Sequence, residues 1–326
     1  MEVIRPQNLV NNIAIVDGFS GTGKSLMMPL LSHLKNGEVW QLLMETERVC
    51  LLQYLNKVDY NAAKALVKMH FDQRIYELYL GRNVNFRASD DSSVQGNLLK
   101  SKYKKRVQDA SEREVIVDKI EREKPLLVMD AHYIFGFTDL YMESFDESLG
   151  IYLFMVRNPA HLINAYFLQN IDSRVGHDPM EMTLCVEIDG NTIPYYAVEY
   201  HKEYLAANNL EKAILFVCHY QKMVDKMYAT LTKKQKKKFL FVSFENFTTN
   251  PKPFMKKIKN ILKTKNSTTY KKMYKFLDMP RKKEKIDYDT TYKLAKQQNI
   301  TIKKKYKKML DELISDYKIY LSKETK

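Results

Sequence analysis

Cysteine is scarce in this sequence of 326 residues. The three cysteines, Cys50, Cys185 and Cys218, lie far apart and form no C-x-x-C pair. Disulfide frameworks and structural zinc sites depend on closely spaced or paired cysteines, so the sequence predicts neither. We expect the three to act as small buried hydrophobic side chains, which is the usual role of a free cysteine.

Long hydrophobic runs are also missing. No stretch approaches the roughly 18 consecutive apolar residues that predict a transmembrane helix. The opening MEVIRPQNLVNN lacks the apolar segment of a signal peptide. Hydrophobic residues make up 45% and charged residues 28%, a balance that excludes a wholly disordered chain. Together these features predict a globular cytoplasmic protein.

The net charge is +14, and the basic excess is confined to one end of the chain. Residues 233–326 contain 28 lysines and arginines against 9 aspartates and glutamates, whereas the remainder has a small acidic excess. Such a segment can bind phosphates, nucleic acid or other polyanions. Because it is almost entirely lysine, and specific phosphate binding favours arginine, a solvated surface is the alternative interpretation.

The apolar pattern predicts an α/β fold. Continuous apolar runs predict buried parallel strands at residues 13–16, 126–130, 151–157 and 238–244. Apolar residues three and four positions apart predict helices at 24–34, within 40–80, and at 159–171, 195–206, 209–231 and 252–264. Strands that alternate with helices predict a mainly parallel sheet flanked by helices. We predict one α/β domain over residues 1–279 and a lysine-rich extension, helical in part, over residues 280–326.

One motif uses three of the ten glycines. Residues 18–25, GFSGTGKS, match the pattern G-x-x-x-x-G-K-[ST] at every fixed position, between a predicted strand and a predicted helix. The glycines let backbone N–H groups surround a phosphate, and the helix N-terminus adds a partial positive charge. The motif predicts a three-layer fold like that of P-loop NTPases. The expected phosphate ligands are Gly18, Ser20, Gly21, Thr22, Gly23, Lys24 and Ser25.

The loop alone leaves nucleotide hydrolysis, phosphoryl transfer and sulfuryl transfer open, but two further stretches resemble the P-loop sulfotransferases. In that family one strand ends in a K-T-H-like motif and a later strand ends in R-N-P or R-D-P before a helix. Here M-D-A-H ends at His132, and R-N-P begins at Arg157. Residues 239–262 are similar to the family's next strand, acidic turn and helix.

The resemblance implies a donor and a set of roles. The donor would be 3′-phosphoadenosine 5′-phosphosulfate, and the acceptor would offer a hydroxyl or an amine. His132 would be the catalytic base, Lys24 would stabilise charge in the transfer, and Arg157 would bind the 3′-phosphate of the donor.

Three positions depart from the family pattern. The basic residue that the family has early in the loop is Gly21 here, with Lys24 three positions later. Ala165 stands in place of the serine that follows the arginine by eight residues. The glycine-rich R-K-G-x-x-G-D-W element is echoed only by RKKEKIDY, residues 281–288, which lacks both glycines. We therefore do not assign that segment to the site.

An ATP- and Mg²⁺-dependent kinase that acts on a small molecule or nucleotide is the alternative. Asp130 follows an apolar strand, where P-loop enzymes place the carboxylate that holds Mg²⁺, and Ser25 is the second expected metal ligand. The sulfotransferase interpretation expects no metal. Asp130 and His132 stand two residues apart, so the two interpretations give different roles to one strand end.

The segment Gly81–Val94, GRNVNFRASDDSSV, is dense in hydrogen-bonding side chains. Such a density favours a polyhydroxylated or anionic acceptor, for example a saccharide, and a solvated surface loop is the alternative. The expected partners are thus a nucleotide donor and a polar acceptor, with polyanion binding by the basic C-terminal part.

Overall fold

The computed structural model describes residues 1–42, 44–90, 92–95 and 98–324. Its strands are β1 Ile13–Gly18, β2 Gln41–Leu42, β3 Leu127–Asp130, β4 Leu149–Val156, β5 Cys185–Ile188, β6 Asn191–Pro194 and β7 Phe239–Ser243. Five of them form a parallel sheet in the order β2-β3-β1-β4-β7, and β5 and β6 form a separate antiparallel hairpin. The strand that leads into the phosphate loop is thus the central one.

Helices connect the strands and cover the sheet. Up to residue 174 they are α1 Lys24–Ser32, α2 Met44–Tyr54, α3 Tyr60–Leu80, α4 Lys100–Val107, α5 Arg113–Glu123, α6 Asp139–Ser144, α7 Pro159–Leu168 and α8 Ile171–Arg174. Beyond it they are α9 His201–Ala206, α10 Asn209–Thr230, α11 Lys233–Lys236, α12 Phe244–Thr249, α13 Pro251–Ile261, α14 Tyr270–Phe276, α15 Thr290–Gln297 and α16 Lys304–Glu324. Short 3₁₀ turns cover Phe135–Phe137 and Tyr195–Tyr200. None of the helices in the described residues has both the length and the hydrophobicity to cross a bilayer.

Apolar side chains on both faces make the sheet the middle layer. In β1, Ile13 and Ile15 belong to one core, whereas Ala14 and Val16 belong to the other. This division follows from the alternation of side chains along a strand. Residues of α2, α3, α7 and α10 cover the first face, and residues of α1, α13 and α14 cover the second. The predicted three-layer α/β fold with a parallel central sheet is confirmed.

All four predicted strands are present, and their ends differ by at most two residues from the prediction. The hairpin formed by β5 and β6 is not among the predicted elements, nor are the short helices α4 and α5. The helix α4, KSKYKKRV, is mostly charged and buries only Tyr103 and Arg106, so no apolar periodicity marks it.

The basic C-terminal part packs on the rest of the molecule. The helix α16 contacts α7 and α10. Tyr306, Leu310 and Ile314 are buried in the same core as one face of the sheet. Residues 325 and 326 lie outside the described residues. The domain boundary after residue 279 stays a prediction.

Candidate active site at the carboxyl edge of the sheet

The phosphate loop closes tightly between β1 and α1. Gly18 and Gly23 have φ angles of 135° and 89°, which residues with a Cβ rarely adopt. A Cβ added at Gly18 would lie 2.4 Å from the Met155 carbonyl oxygen, and one at Gly23 would lie 2.6 Å from the Phe244 ring. Both positions therefore require glycine, and this requirement explains the spacing of the motif.

The outer side of the loop faces solvent. Ser20, Gly21 and Ser25 are exposed, whereas Thr22 is buried and its Oγ1 donates a hydrogen bond to the Phe19 carbonyl oxygen at 2.7 Å. The first N–H groups of any helix lack partners within the helix. Together with the positive end of the helix dipole, those of α1 can bind an anion at this exposed edge.

Lys24 is the first residue of α1, and its side chain is only 7% exposed. Its Nζ donates a hydrogen bond to the Gly18 carbonyl oxygen at 2.8 Å and lies 3.8 Å from Asp130 Oδ1. Asp130 ends β3 and is paired in register with Val16 of β1. Burial raises the pKa of Asp130, against the opposing effect of Lys24. The sheet thus brings the loop lysine and the strand-end carboxylate together.

His132 lies two residues beyond Asp130 and is held by Glu47 of α2. Glu47 Oε1 accepts a hydrogen bond from the His132 backbone N–H at 3.0 Å and lies 3.2 Å from Nδ1 of the ring. The other ring nitrogen, Nε2, lies 3.5 Å from Asp130 Oδ2. No pattern in the sequence singles out Glu47, because a lone glutamate on an amphipathic helix carries no signal of its own.

Burial and neighbouring charges alter the proton affinities of this pair. Burial, followed by the charge of Lys24, lowers the pKa of His132 to about 4. Burial, reinforced by Asp17, raises the pKa of Glu47 to about 8. At neutral pH the imidazole is therefore neutral, and the Glu47 carboxyl group holds a proton. A neutral imidazole is the form that accepts a proton from an attacking hydroxyl.

Arg157 follows β4 directly and contacts the phosphate loop. Its Nη1 donates a hydrogen bond to the Gly21 carbonyl oxygen at 2.5 Å. Its guanidinium carbon lies 3.9 Å from the centre of the Phe244 ring. Because Phe244 opens α12 directly after β7, the ends of two neighbouring strands place a cation and an aromatic ring beside the loop.

A basic cavity of about 590 Å³ opens next to the end of β4. Its lining includes the Phe244 ring and His161. Five cationic side chains, those of Arg157, Arg281, Lys282, Lys283 and Lys285, outnumber the three acidic ones, those of Glu245, Glu284 and Asp287. Two hydrogen bonds of 2.8 Å hold the segment 281–287 there, from the Arg281 N–H to the Thr248 carbonyl and from the Asn158 amide to the Asp287 carbonyl. Contrary to the expectation drawn from its missing glycines, this segment lies at the site.

An aromatic cavity of about 440 Å³ opens on the His132 side of the loop. Ser20, Glu47 and His132 contribute to its lining. Six aromatic rings line it as well, those of Phe19, Tyr133, Tyr166, Tyr195, Tyr196 and Phe216. Tyr133 has a φ angle of 56°, and its hydroxyl accepts a hydrogen bond from the Ser20 N–H at 3.2 Å. The segment after β3 is thereby tied to the phosphate loop.

The polar loop that the sequence places at the acceptor lies elsewhere. None of its described residues, 81–90 and 92–94, lines the aromatic cavity, and Asp91 lies outside the described residues. The Asn85 amide instead donates to Asp90 at 3.1 Å and to Ser92 at 2.8 Å. These polar side chains bond to one another, which accounts for their density without an acceptor.

The comparisons with known proteins point to one group of structures. No protein-family model and no curated protein matches the chain. The sulfotransferase domain of the Synechococcus PCC 7002 olefin synthase is similar at a TM-score of 0.45 and 13% identity, covering 97% of this chain and 98% of that one. The sulfotransferase STF9 from Mycobacterium avium is similar at a TM-score of 0.47 and 11% identity, covering 95% and 76%. A sulfotransferase from Alicyclobacillus acidocaldarius has a TM-score of 0.35 and 12% identity, covering 96% and 97%. Likeness at this level leaves the function to be inferred from the site itself.

The phosphate loop lies between two cavities of different chemistry. Phe19 and Ser20 of the loop line the aromatic cavity. Arg157, which binds the Gly21 carbonyl, and Phe244, which lies against Gly23, line the basic cavity. A phosphate held at the loop is therefore flanked by cations on one side and by a histidine with aromatic rings on the other.

Ser25 and Asp130 are the Mg²⁺ ligands expected for the kinase alternative. Over the described ranges, no three His, Cys, Asp or Glu side chains are grouped so that they could hold a metal ion. Mg²⁺ bound beside phosphates uses only one or two protein carboxylates. Nucleotide binding, rather than the grouping of ligands, therefore decides between the two alternatives.

Proposed function

We propose that the protein transfers a sulfuryl group from 3′-phosphoadenosine 5′-phosphosulfate to the hydroxyl of an acceptor. The observation that carries the proposal is the position of the phosphate loop between the basic and the aromatic cavity. This donor bears phosphate on two carbons of its ribose and so needs two separate cationic sites. Lys24 in the loop and the cluster around Arg157 supply them.

Each end of the donor has a matching set of residues. The loop and the N-terminus of α1 suit the 5′-phosphosulfate, and Lys24 neutralises charge there. The basic cavity suits the 3′-phosphate, because the planar guanidinium groups of Arg157 and Arg281 match phosphate oxygens in pairs. The Phe244 ring offers the adenine a surface for stacking.

In the transfer step the acceptor oxygen attacks sulfur, and the bond from sulfur to the 5′-phosphate oxygen breaks. Adenosine 3′,5′-bisphosphate is the leaving group. The acceptor proton passes to Nε2 of His132, since Nδ1 faces Glu47. Glu47 acts through His132 and is a positioning residue. Lys24 stabilises the charge that develops on the leaving oxygen.

Burial lowers the pKa of His132 and so weakens it as a base in the protein without donor. The positive charge of Lys24 contributes to the lowering. A bound anionic donor offsets that charge and raises the proton affinity of the imidazole. The base is therefore stronger with the donor in place than without it.

Thermal unfolding with two nucleotides tests the proposal. A ligand that binds only the folded state adds about 2.7 kcal/mol of stability at 100 times its dissociation constant. We expect adenosine 3′,5′-bisphosphate without Mg²⁺ to raise the Tm more than ATP with Mg²⁺ does. A larger shift with ATP and Mg²⁺, abolished by a chelator, would show that the site belongs to a kinase.

A matched pair of lysine variants controls the measurement. Lys24→Met keeps the apolar stem and removes the charge, so it should abolish the shift with the bisphosphate. Lys35 is exposed just beyond the end of α1, and Lys35→Met should keep the full shift. An undiminished shift in Lys24→Met would show that the nucleotide binds away from the loop.

A further inference from the structure

The aromatic cavity has the size of a small-molecule site. Its volume of about 440 Å³ lies within the range of about 300–1,000 Å³ that is typical of ligand pockets. His132 and Ser20 line it, so a molecule inside can present a hydroxyl to the base and to the phosphate loop. The remaining lining then decides which molecules are accepted.

The wall of the cavity is a connected set of aromatic rings centred on Phe216 of α10. The ring centre of Phe216 lies 5.5 Å from that of Phe19, 5.5 Å from that of Tyr133 and 4.3 Å from that of Tyr196. Aromatic rings at these separations pack in offset or edge-to-face geometry and form a rigid surface. Phe216 is itself only 1% exposed and supports the partly exposed rings of Tyr133 and Tyr166, which can stack against a flat apolar ring.

Three of the four tyrosine hydroxyls on this wall are already hydrogen-bonded. The Tyr133 hydroxyl accepts from the Ser20 N–H, and the Tyr166 and Tyr196 hydroxyls bond to each other. A saccharide carries several hydroxyls, each of which costs free energy when it is buried without a partner. A wall that is mostly apolar, with most of its hydroxyls engaged, therefore disfavours a sugar ring.

The rim of the cavity combines exposed apolar side chains with polar and charged ones, several of which are bonded to each other. Leu42, Met180 and Met182 line the cavity and are 40%, 71% and 51% exposed. Arg174 pairs with Asp178 at 2.9 Å, and Arg48 donates a hydrogen bond to the Met182 sulfur at 3.4 Å. Exposed apolar side chains beside a cavity favour an apolar ligand, because its binding removes them from water.

We infer that the acceptor is a phenol or a similar alcohol on an apolar ring body, held against the Phe216 wall with its hydroxyl toward His132. The inference rests on the proposed sulfuryl transfer and narrows its acceptor. The bonds made and broken are those of that reaction, with the phenol oxygen as the attacking atom.

Transfer from the phosphosulfate donor to 2-naphthol and to N-acetylglucosamine tests the inference. We expect kcat/KM to be at least about 100-fold higher for the naphthol, because the aromatic and aliphatic lining favours a flat apolar ring over a ring that carries many hydroxyls. A ratio near or below one, or no transfer to the naphthol, would overturn the inference. The Tm shift with adenosine 3′,5′-bisphosphate is measured on the same sample, and its absence would instead count against the proposed function.

Two substitutions in α7 test whether the acceptor binds in the aromatic cavity. Ala165 lines the aromatic cavity, whereas Leu168, near the end of the same helix, is 64% exposed and does not line it. Ala165→Trp should lower kcat/KM for the naphthol by about 50-fold or more with an unchanged bisphosphate shift. Leu168→Trp should leave both unchanged. Full naphthol activity in Ala165→Trp would show that the acceptor binds elsewhere.

If Ala165→Trp does not unfold cooperatively, and so is not properly folded, a variant at the rim of the cavity tests the same inference. Met182→Glu adds a carboxylate at an exposed position of the rim, away from the core. It should weaken the use of the naphthol and leave the bisphosphate shift intact. Unchanged use of the naphthol in this variant would likewise contradict the inferred site.

Discussion

At the scale of single residues, the proposed transfer assigns different tasks to two side chains. In this proposal His132 takes the proton, and Glu47 fixes the ring through the Nδ1 contact and the backbone N–H. The pKa values of the pair move in opposite directions, because burial disfavours the charged form of both groups. Neutral forms of both are therefore favoured at pH 7, so the site begins with a free base.

The variant His132→Ala distinguishes a general base from a residue that binds the donor. We expect kcat to fall by roughly 10²–10⁴-fold while the affinity for adenosine 3′,5′-bisphosphate stays nearly unchanged, since a base acts only in the transition state. Steady-state kinetics and calorimetry measure the two effects. His177→Ala, at an exposed position, is the control. The kinase would be favoured if His132→Ala stayed active, Asp130→Asn were inactive, and the wild type depended on Mg²⁺.

The raised pKa of Glu47 predicts how the stability of the protein depends on pH. Its pKa is raised from 4.5 to about 8 in the folded protein, so folding favours the protonated group. The folded state then binds more protons than the unfolded state, and the free energy of unfolding falls as the pH rises between these values. His132, with a pKa lowered from 6.5 to about 4, acts in the opposite direction but only below about pH 6.5. His33, His161 and His219, whose pKa values burial also lowers, act in the same direction as His132. In the window from pH 6.5 to 8, the comparison with a Glu47 variant therefore isolates Glu47.

As the pH rises from 6.5 to 8, the free energy of unfolding measured with urea should fall for the wild type and should fall less for Glu47→Gln. The exposed residue Glu45 lies on the same helix, and Glu45→Gln should follow the wild type. Parallel profiles for the wild type and Glu47→Gln would show that Glu47 titrates normally in the folded protein.

At the scale of elements, the parts that follow from local sequence are predictable. The four sheet strands are apolar runs because both of their faces are buried, and the loop at Gly18–Ser25 carries its conformation in its glycines. The hairpin of β5 and β6 is also marked locally. Asp189-Gly190 joins its strands with both residues at positive φ, and such a pair between short strands is a strong hairpin signal.

The rest of the site depends on tertiary packing. Glu47 and His132 are 85 residues apart and meet only because α2 lies over the end of β3. The segment 281–287 is brought to Arg157 by hydrogen bonds from Asn158 and to Thr248. No spacing in the sequence encodes the contact between Glu47 and His132. Segment 281–288 carries a partial motif, but its missing glycines argued against placing it at the site.

The lysines of segment 281–287 give the element-scale prediction. Lys282, Lys283 and Lys285 line the basic cavity, and the segment is anchored by backbone groups rather than by these side chains. The triple change to serine should weaken binding of adenosine 3′,5′-bisphosphate and affect AMP, which lacks the 3′-phosphate, much less. Calorimetry with both nucleotides measures the difference.

Helix α13 provides the control for the lysine triple. Lys252, Lys256 and Lys257 are exposed there, and their triple change to serine removes the same charge. It should leave the affinity for both nucleotides nearly unchanged at moderate salt, because none of the three lysines lines the basic cavity and exposed charges are screened. Equal losses in the two triple variants would mean that only the net charge matters.

At the scale of the whole molecule, the basic C-terminal part contributes to two structures at once. The chain places Lys282, Lys283 and Lys285 in the basic cavity and then returns across α7 and α10 with α16. Near its end, α16 reaches the site again, where the Tyr317 hydroxyl donates to Glu245 and Glu245 accepts from the Asn158 N–H. The lysine-rich part of the chain therefore contributes both to the lining of the basic cavity and to the core.

Leu310 tests whether residues beyond 279 fold as part of the core. Its side chain is fully buried in the core that also contains Ile15 of β1. Leu310→Ala should lower the free energy of unfolding by about 2–5 kcal/mol, as for other buried leucines. Ile319, on the same helix but 50% exposed, is the control, and Ile319→Ala should change stability by about 0.5 kcal/mol or less.

Urea unfolding followed by the fluorescence of Trp40, which lies in the opposite core, measures the stability of both variants. If Leu310→Ala left the Trp40 transition unchanged, α16 would unfold separately, and the boundary after residue 279 would divide the chain as predicted. A single transition shifted by Leu310→Ala requires instead that α16 and both faces of the sheet unfold together.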